Sequence, residues 1–155
     1  MTIMDVPVAV REAKRARALR DIGDRDYKRY VVELSHLGKT QAEIARLLQV
    51  AQPTVQKMLK RSEALQMPAE GFSGADPYEI CERYAADLIS REQLIDELTR
   101  WDYPPRGKTP DEFDDLIVPV PGSVEDLERA LRRGLIDDEL FDEIADRYEE
   151  RNAGA

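Results

Sequence analysis

The chain has one cysteine, Cys81, and one histidine, His36, in 155 residues. A lone cysteine excludes an intrachain disulfide, and these two residues cannot build a zinc site of the Cys/His kind, so no metal or other cofactor is expected. No apolar run approaches the roughly 18 to 20 residues that a membrane-spanning helix needs. A membrane protein is therefore not expected. The opening MTIMDVPVAVREAKRARALR turns basic where a signal peptide would carry its longer apolar stretch and small-residue cleavage site, which predicts an intracellular protein. Aromatic residues make up 6% of the chain, and the 9 prolines and 8 glycines fall at a few punctuation points. Hydrophobic residues are plentiful at 42%, enough for packed cores in one ordinary domain or two small ones.

The net charge of −9 hides a division. Residues 1–66 carry 13 Lys/Arg against 8 Asp/Glu, a net of +5, whereas residues 67–155 carry 10 against 24, a net of −14. Such asymmetry predicts two units with different tasks. Apolar residues recur at three and four positions in both, so the fold is expected to be all α. A basic helix is expected over 8–22, crowded by Arg11, Lys14, Arg15, Arg17 and Arg20, and Gly23-Asp24 is expected to break it. A second helix fits 25–37, with Asp24 as its cap and Tyr27, Tyr30, Val31, Leu34 and Leu37 on its apolar face. Gly38 stops it. Thr40 then opens a third helix through a capping box with Glu43, burying Ile44, Leu47 and Leu48. Pro53 begins a fourth, to residue 61.

Segment QMPAEGFSGAD, 66–76, has no periodicity and reads as a linker between a first domain, 1–65, and an acidic helical second domain, 77–151. In the second, EICERYAADLISREQL and DLERALRRGLIDDELF share one grammar of helix, very short turn, helix. This predicts two αα-hairpins joined through the Pro-rich segment 103–122. Asp76, Ser90 (with Gln93 completing a box), Ser123 and Asp137 are the expected starts. Trp101, Tyr103, Tyr84 and Phe141 read as core anchors.

The most specific signal is TQAEIARLLQVAQPTVQKMLKR, 40–61. It resembles a helix-turn-helix: Ile44, Leu48, Val50, Val55 and Met58 fall where that motif puts its core, and Ala45 where its first helix must be small. Gln49 stands where the motif often has glycine with positive φ. The resemblance implies a recognition helix at about residues 53–61. Helical spacing leaves Gln52, Thr54, Gln56, Lys57, Lys60 and Arg61 on its unburied face, turned to the groove. Gln can pair with adenine N6 and N7, Lys can reach guanine O6 and N7, and a threonine methyl can meet a thymine methyl, so Gln52, Thr54, Gln56 and Lys57 are the candidate base readers. Lys60 and Arg61, with Thr40 and Gln41 at the third helix's start, are candidate phosphate contacts. The basic leading helix, Arg11 and Arg15 above all, either lies on the DNA or is a solvated helix pairing with Asp21, Asp24 and Asp26.

An enzyme is not expected: 24 acids in one half guarantee accidental carboxylate pairs, no histidine accompanies them, and the one cysteine there, Cys81, reads as a packing or surface residue. The whole arrangement, with ISREQLIDELTRWDYPP and RRGLIDDELFDEI in the second unit, resembles the immunity repressors of temperate mycobacteriophages, which bind dispersed asymmetric "stoperator" sites. That resemblance implies a monomer in the bacterial host cytoplasm that grips double-stranded DNA with both units and represses lytic transcription in lysogeny. It also implies DNA contacts from a basic edge of the second unit, with Arg100, Arg106, Lys108 and Arg132 as candidates. The other expectation is a dimeric or antitoxin-like regulator whose acidic unit binds protein.

Overall fold

The computed structural model describes residues 5–105 and 120–154. Among these the chain is all α, with seven helices and no strand. It divides into two compact units, Met1–Met67 and Pro68–Ala155.

The first unit holds α1 (Val6–His36), α2 (Gln41–Leu48) and α3 (Gln52–Arg61). Asp5 starts α1 by accepting the Val8 N–H at 2.8 Å, and the helix then runs unbroken for 31 residues. The expected break at Gly23-Asp24 is absent. A glycine inside a helix costs only about 1 kcal/mol against alanine, and continuing a formed helix adds one bond per residue. Asp24 does not cap. It pairs with Lys28 one turn on, at 2.7 Å, while Ile22 and Val31 are buried on either side. α1 ends at Gly38, whose φ of +89° lets Lys39 N–H reach the Leu34 carbonyl at 3.1 Å.

All three helices pack on one another around Val31, Ile44, Ala45, Val55 and Met58, with Leu34, Leu48, Val50 and Leu59 closing the edges. Tyr27, Tyr30, Leu37 and Leu47, expected on buried faces, are exposed instead. Their spacing was right for a stripe, but the core is narrow and takes only Val31 and Leu34 from that stretch of α1.

The second unit holds α4 (Pro77–Ala85), α5 (Arg91–Arg100), α6 (Val124–Arg132) and α7 (Asp138–Ala153). α4 packs on α5 and α6, and α7 on α5 and α6. Ile80, Cys81, Leu94, Ile95, Leu98, Leu127, Ala130, Ile136, Leu140 and Ile144 form the core. Asp76, Ser90, Ser123 and Asp137 cap these helices as their sequence positions suggest. Gln93 does not return the capping-box bond; its side chain donates to Glu97 at 3.1 Å. α4 and α6 end in left-handed residues, Asp87 at φ +61° and Gly134 at φ +74°.

The segment expected as a linker, 66–76, is largely part of this unit. Phe72 stacks edge-on against Trp101 with ring centroids 5.0 Å apart. The buried carboxylates of Glu97 and Glu79 accept the N–H groups of Ser73 and Ala75. Packing without periodicity is invisible to a pattern reading, which is why the segment looked loose. Trp101 and Tyr103 are core anchors: the indole donates to the Gly122 carbonyl at 2.9 Å and the phenol to the Leu98 carbonyl at 2.6 Å. No helix among the described residues is long and apolar enough to cross a membrane.

Candidate nucleic-acid interface

The approach to α3 is built by three local choices. Thr40 starts α2 with a full capping box: the Glu43 N–H donates to the Thr40 hydroxyl at 3.2 Å, and the Thr40 N–H donates to the Glu43 carboxylate at 3.5 Å, which also accepts the Thr40 hydroxyl at 3.1 Å. Gln49 ends α2 in the left-handed region, φ 57° and ψ 45°, so that Val50 N–H reaches the Ala45 carbonyl at 3.0 Å. This is the turn in which glycine is usual, here built on glutamine at some strain. Val50 folds back toward the core, and α3 begins two residues later.

Within α3, Val55 and Met58 are buried against α1 and α2. Their position fixes the outer face by the 3.6-residue period. Gln52, Thr54, Gln56, Lys57, Lys60 and Arg61 are all exposed, as expected. The helix QPTVQKMLKR holds no carboxylate, and Lys57, Lys60 and Arg61 form no ion pair among the described residues. α3 alone among the seven helices starts without a side-chain cap, on Ala51. Pro53 has no N–H and the Thr54 N–H donates to the Ala51 carbonyl at 3.0 Å, so of the first three residues only Gln52 leaves its amide to solvent or to a ligand. Two amides able to bond a base edge, one threonine and three unpaired cations thus share one surface.

Thr40 and Gln41 fit a phosphate less well. The Thr40 hydroxyl proton is already given to Glu43. Those Thr40 bonds, with Lys39 and Arg46 nearby, hold the Glu43 carboxyl below the usual carboxylate range, so a fixed negative charge sits at this helix start. Gln41 is half-buried.

On α1 the expected cations divide. Arg11 is exposed and has no partner among the described residues, as is the case for Lys14 and Arg17, whereas Arg15 lies 3.9 Å from Glu12 and Arg20 bonds Asp21 at 3.0 Å. Two residues escaped the sequence reading. Arg29 is buried, donating to the Gln66 carbonyl at 3.0 and 3.2 Å and to Asp26 at 3.3 Å, which ties the unit's end to α1. Its spacing of seven from buried Ile22 was the available signal, since that interval returns to the same helix face. Arg46 is exposed on α2 and unpaired.

In the second unit Arg100 is not an available contact. Its guanidinium bonds Asp96 at 3.0 Å and the Gly71 carbonyl at 2.8 Å, and it lies 4.7 Å from the Phe72 ring centre. Arg129 is likewise engaged, over Tyr78 at 3.9 Å and 3.7 Å from Asp126. Arg132 and Arg133 are exposed and have no partner among the described residues. Arg106 and Lys108 lie outside the described residues.

Nothing among the described residues offers a cluster of three metal-ligating side chains. Cys81 is buried, and burial pushes its thiol up to about 12, which leaves it a packing residue. Burial also raises the carboxyl of Asp126, against the lowering pull of the Gly122 N–H bond. No protein family, curated protein or solved structure matches the chain.

Proposed function

We propose that this protein is a sequence-specific double-stranded-DNA-binding repressor whose α2 and α3 form a helix-turn-helix, with α3 as the recognition helix. The observation that carries the reading is the outer face of α3, where Gln52, Thr54, Gln56, Lys57, Lys60 and Arg61 are exposed together with no carboxylate in the helix. The left-handed Gln49 and the buried Ala45 support it, because they let one helix follow the other across a three-residue connection.

In this reading Gln52, Gln56 and Lys57 bond base edges in the major groove, Thr54 meets a thymine methyl, and Lys60 and Arg61 hold phosphates. Repression is by occupancy, as in the mycobacteriophage immunity repressors that the sequence resembles, and requires no cofactor. A single recognition helix per chain suits an asymmetric site read by a monomer. The second reading is a regulator whose acidic unit binds protein. It is favoured by the engagement of Arg83, Arg91, Arg100, Arg129, Arg147 and Arg151 inside the second unit, which leaves only Arg132 and Arg133 unpaired among its described residues.

Selection of bound duplexes from a random DNA pool with the full chain tests both. An enriched asymmetric motif, bound one chain per duplex in sedimentation, is expected. A palindromic motif bound by two chains favours the second reading, and no enrichment contradicts DNA reading altogether.

A further inference from the structure

The continuity of α1 through Gly23 has a consequence for how the chain sits on DNA. Residues 5–21 bury no side chain: Val8 and Ala18 are half-covered and every other position is exposed, Val6 at 75%. Core packing by α1 begins at Ile22. From Val6 to Ile22 the helix rises about 24 Å, the length of roughly seven base-pair steps of duplex. A helical stretch of this length without tertiary packing is unusual, because helices in proteins draw most of their stability from a buried face.

The chemistry of the stretch indicates what it can meet. Arg11, Lys14 and Arg17 recur at three-residue intervals, spanning about 120° of the circumference. None of the three has a carboxylate partner among the described residues. The exposed large apolar residues do not form one stripe: Val6 and Val10 lie beside Lys14 and Arg17, whereas Leu19 lies on the opposite side with Ala9 and Ala16, so no broad apolar face is offered to a second copy, and two such helices side by side would also bring like charges together. A polyanion fits this surface better than a protein.

Resting on the DNA reading proposed above, we infer that the leading turns of α1 form an arm that binds the phosphate backbone of duplex flanking the site read by α3, through Arg11, Lys14 and Arg17. The arm adds affinity without sequence preference. Because it is a continuous helix anchored at Ile22, it acts on one flank only, and full affinity needs several base pairs of duplex beyond the bases that α3 touches.

The test compares the full chain with the triple variant Arg11→Ala, Lys14→Ala, Arg17→Ala. Alanine keeps the helix, and circular dichroism checks this. The probe is the duplex recovered by selection, once with about 10 extra base pairs on each flank and once trimmed to the motif. On the extended duplex the variant's dependence of log affinity on log salt should be shallower by about 2 to 3, near 0.9 for each lost phosphate contact. On the trimmed duplex the two proteins should bind alike, and the preferred motif should be unchanged. Equal salt slopes on the extended duplex, with Gln56→Ala still losing sequence preference, overturn the arm and leave the α3 reading standing. Loss of preference in neither variant removes the reading itself. A dimer of the free chain that the triple substitution dissociates or tightens shows a second copy on this surface and also overturns the arm.

Discussion

The two units differ in how many of their arginines and lysines are paired. In the first, Arg15, Arg20, Lys28 and Arg29 meet carboxylates, but Arg11, Lys14, Arg17, Arg46, Lys57, Lys60 and Arg61 stand exposed with no carboxylate partner among the described residues. In the second, most arginines are drawn into bonds within the unit: Arg83 to Glu79, Arg91 to Glu143, Arg100 to Asp96 and Gly71, Arg147 to Glu143. An unpaired cation is available to a ligand, whereas a paired one must first give up its partner. The net charge of −9 is therefore a poor guide to what either unit can bind. Local field and pairing decide it.

The largest effect that sharpens this comparison concerns independence of the two cores. Leu98, fully buried in the second, should cost about 2 to 5 kcal/mol when changed to alanine, and the one tryptophan, Trp101, reports that unit's unfolding by fluorescence. Ile44→Ala should cost the first unit a similar amount and leave the Trp101 transition where it was. A shift of that transition in the Ile44 variant would show that the units unfold as one and that the division is only geometric.

Smaller effects separate roles within the first unit. Lys60→Ala should weaken binding to all sequences alike and make the salt slope shallower by about 0.9; a loss confined to the preferred sequence would move Lys60 among the base readers. Gln49→Gly should stabilise the first unit by about 0.5 to 1 kcal/mol, since the left-handed position strains a side chain but not glycine. Thermal unfolding followed at the first unit's helices checks this, and destabilisation would mean that the Gln49 side chain holds something that glycine cannot.

The smallest effect lies in the second unit. Burial raises the Asp126 carboxyl, so the folded state holds that proton more tightly than the unfolded chain does, and this group's contribution to stability falls as pH rises through the raised value. Asp126→Asn keeps an acceptor for the Gly122 N–H, and its stability relative to the original chain should increase with pH across that window. A difference that stays flat with pH would place the carboxyl at its ordinary value.

Local chemistry was the most legible part of the fold. Thr40, Asp76, Ser90, Ser123 and Asp137 each start a helix, because a capping oxygen and the amides it serves lie within three residues. The exposed face of α3 followed from the same local periodicity once Val55 and Met58 were assigned to the core. What escaped depended on distant partners. Gly23 reads as a breaker by composition, yet the helix continues through it. The packing of Phe72 on Trp101 and the burial of Arg29 on Gln66 join positions far apart in sequence, so no short pattern announces them. Arg100 is held both by Gly71, 29 residues away, and by Asp96 one turn back, and only the second of these is announced by local spacing.

The claim that α3 reads bases is tested most directly by measuring Gln56→Ala against the original chain on the selected duplex and on random duplex at one salt concentration. The account predicts a loss of about 1 to 3 kcal/mol on the selected duplex, almost none on random DNA, and relaxed preference at one or two base pairs. Equal losses on both duplexes, or none on either, would contradict it.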